Sequence, residues 1–349
     1  MPWRIVVSPD RTSLGLSDGA DEMNPDDFKS VELALASTAL DGDAGGVYRI
    51  ASELMDNGVP FESVLFDYLI PTERSVGQRW AQGDYLVAEE HTVTAAIETV
   101  ISLLTGMFDQ PADGPLVVVT TAEGDAHSLP ARAVSAHLIY MGMRTRFLGA
   151  DVPAADFKAM IEAETPAAVV LSAAMTSHLL GAHAMVASAH ELDVPVVVGG
   201  KAFGAEGEWA EPVGADAWVP TLHETHAVIE SWVGGDRPEI RRGADFPEEL
   251  QELKASRSSV LADADGRLTD ATAPRLRDEL RILLGAIEGS LLTGDDRVTA
   301  EALEWQRASL GAYGLPSHLV VDALHGALEA AGFDTAGAIL HRTREVDER

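Results

Sequence analysis

The chain has 349 residues, 46% of them hydrophobic, enough for two or three ordinary domains with their own cores. Lys and Arg total 25 against 56 Asp and Glu, a formal net charge of −31, which argues against binding nucleic acid or docking on an anionic membrane, because both need clustered cations. Cysteine is absent, so disulfides, thiolate metal sites, iron–sulfur clusters, cysteine nucleophiles and thioether-attached cofactors are excluded. No apolar run approaches the ~18 residues of a membrane span, and the N-terminal residues have neither the apolar core nor the cleavage site of a leader. The expectation is an acidic, soluble, cytoplasmic protein.

Residues 1–24 read as a polar tail. From Pro25 to Phe108 apolar residues recur at three and four, the helix period. Gly45–Gly46, Gly58–Pro60 and Gly83–Asp84 punctuate that pattern, predicting a four-helix bundle over 25–110. From Pro115 to Val233 apolar β-type runs at Leu116–Thr120, Thr145–Leu148, Ala168–Leu171, Val194–Val198 and Ala217–Val219 each precede a helix-like stretch. Such repeats predict a doubly wound, Rossmann-like or flavodoxin-like parallel sheet over 114–233. A linker is expected at 234–245, then five helices over 246–349, with breaks near Asp263–Gly266, Gly294–Asp296, Gly314–Pro316 and Gly332–Asp334. Asp296 is expected to cap one helix and Pro316 to open the next.

The loop Ala122-Glu-Gly-Asp-Ala-His-Ser-Leu-Pro130 follows the first strand, at the sheet edge where α/β folds bind ligands. Its His127 can offer one ring nitrogen to a metal while Asp125 holds the other and fixes the tautomer. The dinucleotide fingerprint G-x-G-x-x-G is absent there. Alone, Asp-x-His is a short motif that ordinary surface loops also carry. Small residues also end the third strand (Leu171-Ser-Ala-Ala174) and the fourth (Val198-Gly-Gly200), consistent with tight packing or with a slot for a ligand.

Asp125, His127, Ser172, Gly199 and Gly200 resemble the motif of the cobalamin-binding Rossmann-like domain, and Leu148-Gly-Ala-Asp-Val-Pro153 looks like that family's second-strand exit. The resemblance implies that His127 is the metal ligand, meeting cobalt from below with Asp125 behind it. It also implies that the cofactor's benzimidazole tail lies beside Ser172 and the two glycines. Pro130 departs from the motif's glycine, and Ala174 stands where a larger residue is common.

Within the bundle, Trp80 ends one helix and Glu90-His91 begins the next, with Gly83-Asp84 turning between them. A flat ring, an acceptor and an imidazole suit a hydroxylated heterocycle such as adenosine; a core tryptophan before a solvated helix start is the plainer alternative. The run is similar to the Trp-x9-Glu-His motif of the adenosylcobalamin photoreceptors of the MerR type, which implies that Trp80, Glu90 and His91 cap the adenosyl group and that light breaks the cobalt–carbon bond. The DNA-reading helix-turn-helix of those relatives is missing, and Ala81 stands where they can carry a second cobalt ligand.

The C-terminal third carries Trp305, Tyr313, His318 and His325, with Arg277, Arg281, Arg307 and Arg342. These are ordinary surface or core residues, or the lining of a haem or bilin site on a globin-like helical domain. The order of bundle, cobalamin domain and helical domain resembles the photocobilins. That implies adenosylcobalamin plus non-covalent biliverdin, bound around Trp305–His325.

The leading expectation is thus a photoreceptor, a regulator rather than an enzyme, signalling to a protein partner or through self-assembly as a homo-oligomer. Its alternative is a corrinoid methyl carrier of a methyltransferase system. A third reading is a scaffold that has lost its cofactor.

Overall fold

The computed structural model describes residues 25–240, 246–268 and 273–347. The expected tail and the end of the expected linker lie outside the described residues.

The first region holds α1 (Pro25–Leu40), α2 (Ala44–Asp56) and a third rod in which α3 (Phe61–Ser63) passes through a π-helical segment, Val64–Leu69, into α4 (Ile70–Ala81); α5 (Val87–Thr105) completes it. The widened segment precedes Pro71, which has no N–H to give the carbonyl of Asp67 and whose ring crowds it. Ile70 N–H bonds instead to Leu65 O. Gly45 and Gly46 open α2 rather than separating two helices. Asp43 accepts from Gly46 N–H at 2.8 Å, and a Cβ on Gly46 would lie 2.4 Å from the Asp43 carboxylate. Leu35, Leu54, Leu65, Tyr68, Ile97 and Leu104 fill the interior and meet Leu129 and Ala133 of the next region.

The second region alternates β1 (Leu116–Thr121), α6 (Ser128–Tyr140), β2 (Arg144–Phe147), α7 (Ala154–Glu164), β3 (Ala168–Ser172), a 3-10 turn Thr176–His178, α8 (Leu179–His190), β4 (Val196–Gly199), a 3-10 turn Lys201–Phe203, α9 (Ala210–Val213), β5 (Ala217–Val219) and α10 (Glu224–Gly234). All pairings are parallel, in the order β2-β1-β3-β4-β5. That is the flavodoxin-like order, with its switch point between β1 and β3. Every β1 residue is buried, because helices cover both faces. Val117, Val119, Val170 and Val197 face α6 and α10, whereas Val118, Val169, Val196 and Val198 face α7, α8 and α9. Each such side chain contributes roughly 1.5–3 kcal/mol by leaving water.

The third region is all-α: α11 (Glu248–Arg267), α12 (Ala273–Thr293), α13 (Arg297–Ala312), α14 (His318–Ala331) and α15 (Asp334–Asp347). The break expected near Asp263–Gly266 comes just after it: Ala264 is buried and Asp263 pairs with Arg267 one turn on, at 3.0 Å, so α11 runs on to Arg267 before it ends. Asp296 precedes α13 without a side-chain capping bond; its carboxylate takes Arg342 at 2.7 Å, and Asp295 receives the Arg297 N–H at 3.0 Å. The interior is aliphatic, with Leu253, Leu280, Leu284, Leu310, Leu324 and Leu340 at its centre. α12 and α13 also pack on the sheet region, where Trp209 Nε1–H donates to Asp295 at 3.0 Å. Among the described residues no helix is long and apolar enough to cross a membrane.

Candidate functional site

The β1–α6 loop leaves the sheet at the switch point and is tied down at each step. Ala122 N–H bonds to Ser172 O at 2.8 Å, extending the β1–β3 ladder by one residue. Thr121 Oγ1 donates to Asp125 O at 2.6 Å and accepts from Asp151 N–H at 3.0 Å. The Asp151 carboxylate accepts from Gly124 N–H at 2.8 Å, where φ is +89° and glycine is favoured. Asp151 was visible in the sequence only as part of the second-strand exit; its bracing role spans 27 residues.

These bonds aim Asp125 inward and His127 outward. The Asp125 side chain is 1% exposed, that of His127 55%. Asp125 Oδ1 accepts from His127 N–H at 2.9 Å and from His127 Nδ1–H at 2.6 Å. Asp125 Oδ2 accepts from Ala174 N–H at 2.6 Å. Burial opposes the charge on Asp125, but the hydrogen bond from His127 and the nearby His178 imidazole outweigh it and hold the carboxyl far below the usual range. The His127 imidazole is held above its ordinary value, first by the bond to Asp125, against the opposing effect of burial. A carboxylate has only acceptors to offer, so Nδ1 carries the shared proton and Nε2 points away as the free edge.

Ser172 and Gly199 are register partners on β3 and β4. Gly200, at φ +106°, packs on backbone: a Cβ there would lie 2.2 Å from Ala173 O. Close strand-end packing thus accounts for Gly200.

Over this edge stands the third rod of the bundle. Trp80 ends α4 half-buried, its Nε1 buried without a hydrogen-bond partner. Glu90 is 16% exposed and accepts from Thr94 Oγ1 at 3.1 Å and from His91 Nδ1, whereas His91 is 74% exposed. The negative fields of Glu90 and of Glu73 both reach His127. Glu73 was not expected. Burial, and then the charge of Glu90, raise its carboxyl, while His127, Arg74 and Lys201 act in the other direction. It lies seven residues before Trp80, two turns along the same helix face.

The C-terminal residues lie elsewhere. His318 is exposed at the start of α14; His325 turns to Glu329, 3.7 Å away, and to the His341 ring at 6.3 Å. Trp305 and Tyr313 are half-buried on α13 and at its end. Arg277, Arg281 and Arg342 are engaged by Asp265, Asp278 and Asp296.

Among the described residues no three His, Asp or Glu converge to hold a bare ion. A single half-exposed imidazole with its other nitrogen on a buried carboxylate instead suits a metal whose remaining ligands come from a macrocycle. Residues 115–227 match the family model described as B12 binding domain, and residues 31–105 match a second model of the same description. The Trimethylamine corrinoid protein of Methanosarcina barkeri is 25% identical over 192 residues, covering 52% of this chain and 87% of that protein. Trimethylamine corrinoid protein 2 of Methanosarcina mazei gives the same values. The structure of the M. barkeri monomethylamine corrinoid protein aligns at 22% identity with a TM-score of 0.49, over 57% of this chain and 97% of that one. The two trimethylamine corrinoid proteins overturn the expected photoreceptor with light-triggered cobalt–carbon cleavage and a bilin. They favour the alternative, a corrinoid carrier. Trp305, Tyr313, His318 and His325 fall outside both matched segments. The chain is a cobalamin-binding protein, with a helical cap ahead of a Rossmann-like B12-binding domain.

Proposed function

We propose that the chain is a methyl-carrying corrinoid protein that serves a methyltransferase partner, with a methyl group in place of the adenosyl group first expected. The observation that carries this reading is the alignment of the trimethylamine corrinoid proteins over 87% of their own length. When bound, the corrinoid supplies a cobalt centre able to accept and release a methyl group.

The chain's own residues then have defined tasks. His127 would hold the cobalt of a bound corrinoid through Nε2, and Asp125 fixes the ring by holding Nδ1–H. Asp125 stays anionic, so it compensates positive charge on the imidazole when Nε2 is protonated rather than coordinated. Trp80, Glu73 and Glu90 stand on the cap side and limit water there. The protein acts as a carrier, and the methyltransferase supplies the catalytic groups for each transfer.

The test is a loading experiment. The purified chain is incubated with hydroxocobalamin, desalted, reduced and supplied with methyl iodide. Retention of about one cobalt per chain, followed by gain of a methylcobalamin spectrum, is expected. Failure to retain cobalt, or retention without methylation under conditions that methylate free cobalamin, would overturn the reading.

A further inference from the structure

The turn Thr176–His178 was not singled out from the sequence, yet it joins the lower-face pair to the C-terminal helices. Towards the loop, the His178 side chain is 15% exposed and its Nδ1 lies 3.5 Å from Asp125 Oδ2. That Nδ1 is buried and makes no hydrogen bond of normal geometry. The His178 and His127 rings are 6.5 Å apart, so two imidazoles flank one carboxylate. Oδ1 already takes two donors from His127, and Oδ2 takes one from Ala174. A carboxylate accommodates about four donors, and His178 faces the fourth direction.

Away from the loop, the turn is gripped by α12 and α13. Thr176 Oγ1 donates to Val298 O at 3.1 Å. A Cβ on Gly285 would lie 2.6 Å from Ser177 O; one on Gly289 would lie 3.2 Å from Thr176 O and 2.9 Å from Val298 Cγ1. Gly285 and Gly289 are four apart on α12, so one bare helix face meets the turn. At these two glycines α12 approaches the turn's own backbone, at Ser177 O and Thr176 O.

We propose that His178 is a positioning residue for the lower-face imidazole, and that the C-terminal helices hold it in place. This rests on the cobalamin reading. Ala174 N–H already holds Oδ2; when His178 Nδ1–H closes the remaining 3.5 Å to the same oxygen, the carboxylate cannot rotate. Oδ1 then stays on His127 Nδ1, which fixes the direction of Nε2. A shift of α12 moves the turn, loosens Oδ2 and frees the ring, so the third region gains a route to the cobalt ligand.

The experiment compares wild type, His178→Leu, His178→Gln and Gly285→Val, each verified as folded by circular dichroism. In the protein without cofactor, nitrogen-15 NMR of the histidines reads the bonded Nδ1–H of His127. With hydroxocobalamin, absorption and, after reduction, cobalt EPR read the histidine-ligated fraction. His178→Leu should lose the sharp His127 Nδ1–H signal and weaken histidine ligation about tenfold, the usual size for a residue behind a metal ligand. His178→Gln, whose amide can donate, should recover to within about threefold, because the role is donation rather than bulk. Gly285→Val should follow His178→Leu. An unchanged His178→Leu protein, or a Gln variant as defective as Leu, overturns the proposal. If the NMR signal responds as expected but wild type retains no cobalamin, the cobalamin reading falls and the positioning of His127 by His178 stands.

Discussion

Two histidine–carboxylate pairs stand near each other in this molecule, and they are built differently. Asp125 is buried and takes three strong hydrogen bonds from fixed groups, two of them backbone N–H. Glu90 is held by one threonine hydroxyl and by its own neighbour His91, whose ring is mostly in water. Both pairs look alike as strings of letters. The difference lies in what holds the carboxylate: strand ends and loop backbone in one case, a helix start in the other. A carboxylate fixed by backbone can aim an imidazole, whereas one on an exposed helix turn follows its side chain.

The sharpest break of that comparison is Asp125→Ala against Glu90→Ala. Removing Asp125 leaves buried donors unpaired and should cost about 3 kcal/mol in urea unfolding, with a 10- to 100-fold loss of cobalamin affinity. Glu90→Ala should cost well under ~1 kcal/mol. Equal costs would end the distinction. Next comes the joint between the sheet and the C-terminal helices. Trp209→Phe keeps the buried ring but removes the bond to Asp295, which should cost about 1 kcal/mol by thermal denaturation.

A pH titration extends the comparison to histidines without a close carboxylate. Burial holds His137 below its ordinary value, with Glu62 working against this, and burial does the same for His183. Both give up a proton more readily in the folded chain than when unfolded. Stability from this source is therefore complete above about pH 6.5 and declines as the pH falls below it. His137→Phe should flatten that decline; an unchanged slope would remove His137 as its source. The smallest effect is expected from His91→Ala, within about 0.5 kcal/mol and about twofold in cobalamin affinity.

The sheet was legible because parallel strands covered on both faces are continuously apolar, as Val117–Val119 and Val196–Val198 are. Asp125 and His127 could be paired on paper because they lie two residues apart at the end of β1. Glu73, Asp151 and His178 could not, because each acts on the loop from a different element and only the fold makes them neighbours. The double glycine of α2 misled as a break for a related reason: its backbone serves the Asp43 cap. The photoreceptor expectation rested on Trp80, Glu90 and His91, a short spacing that the similarity to the trimethylamine corrinoid proteins outweighs.

The placement of α12 has a consequence for the order of synthesis. The cap and the sheet leave the ribosome before α12 and α13, and domains generally fold as they emerge. Until Gly285 and Gly289 arrive, the backbone of Thr176–His178 is uncovered, and the tip of the cap at Gly83 lacks its neighbour Ala312. α12 and α13 therefore close two earlier units at once, and a nascent chain passes through a stage whose loop at His127 is complete but not yet braced.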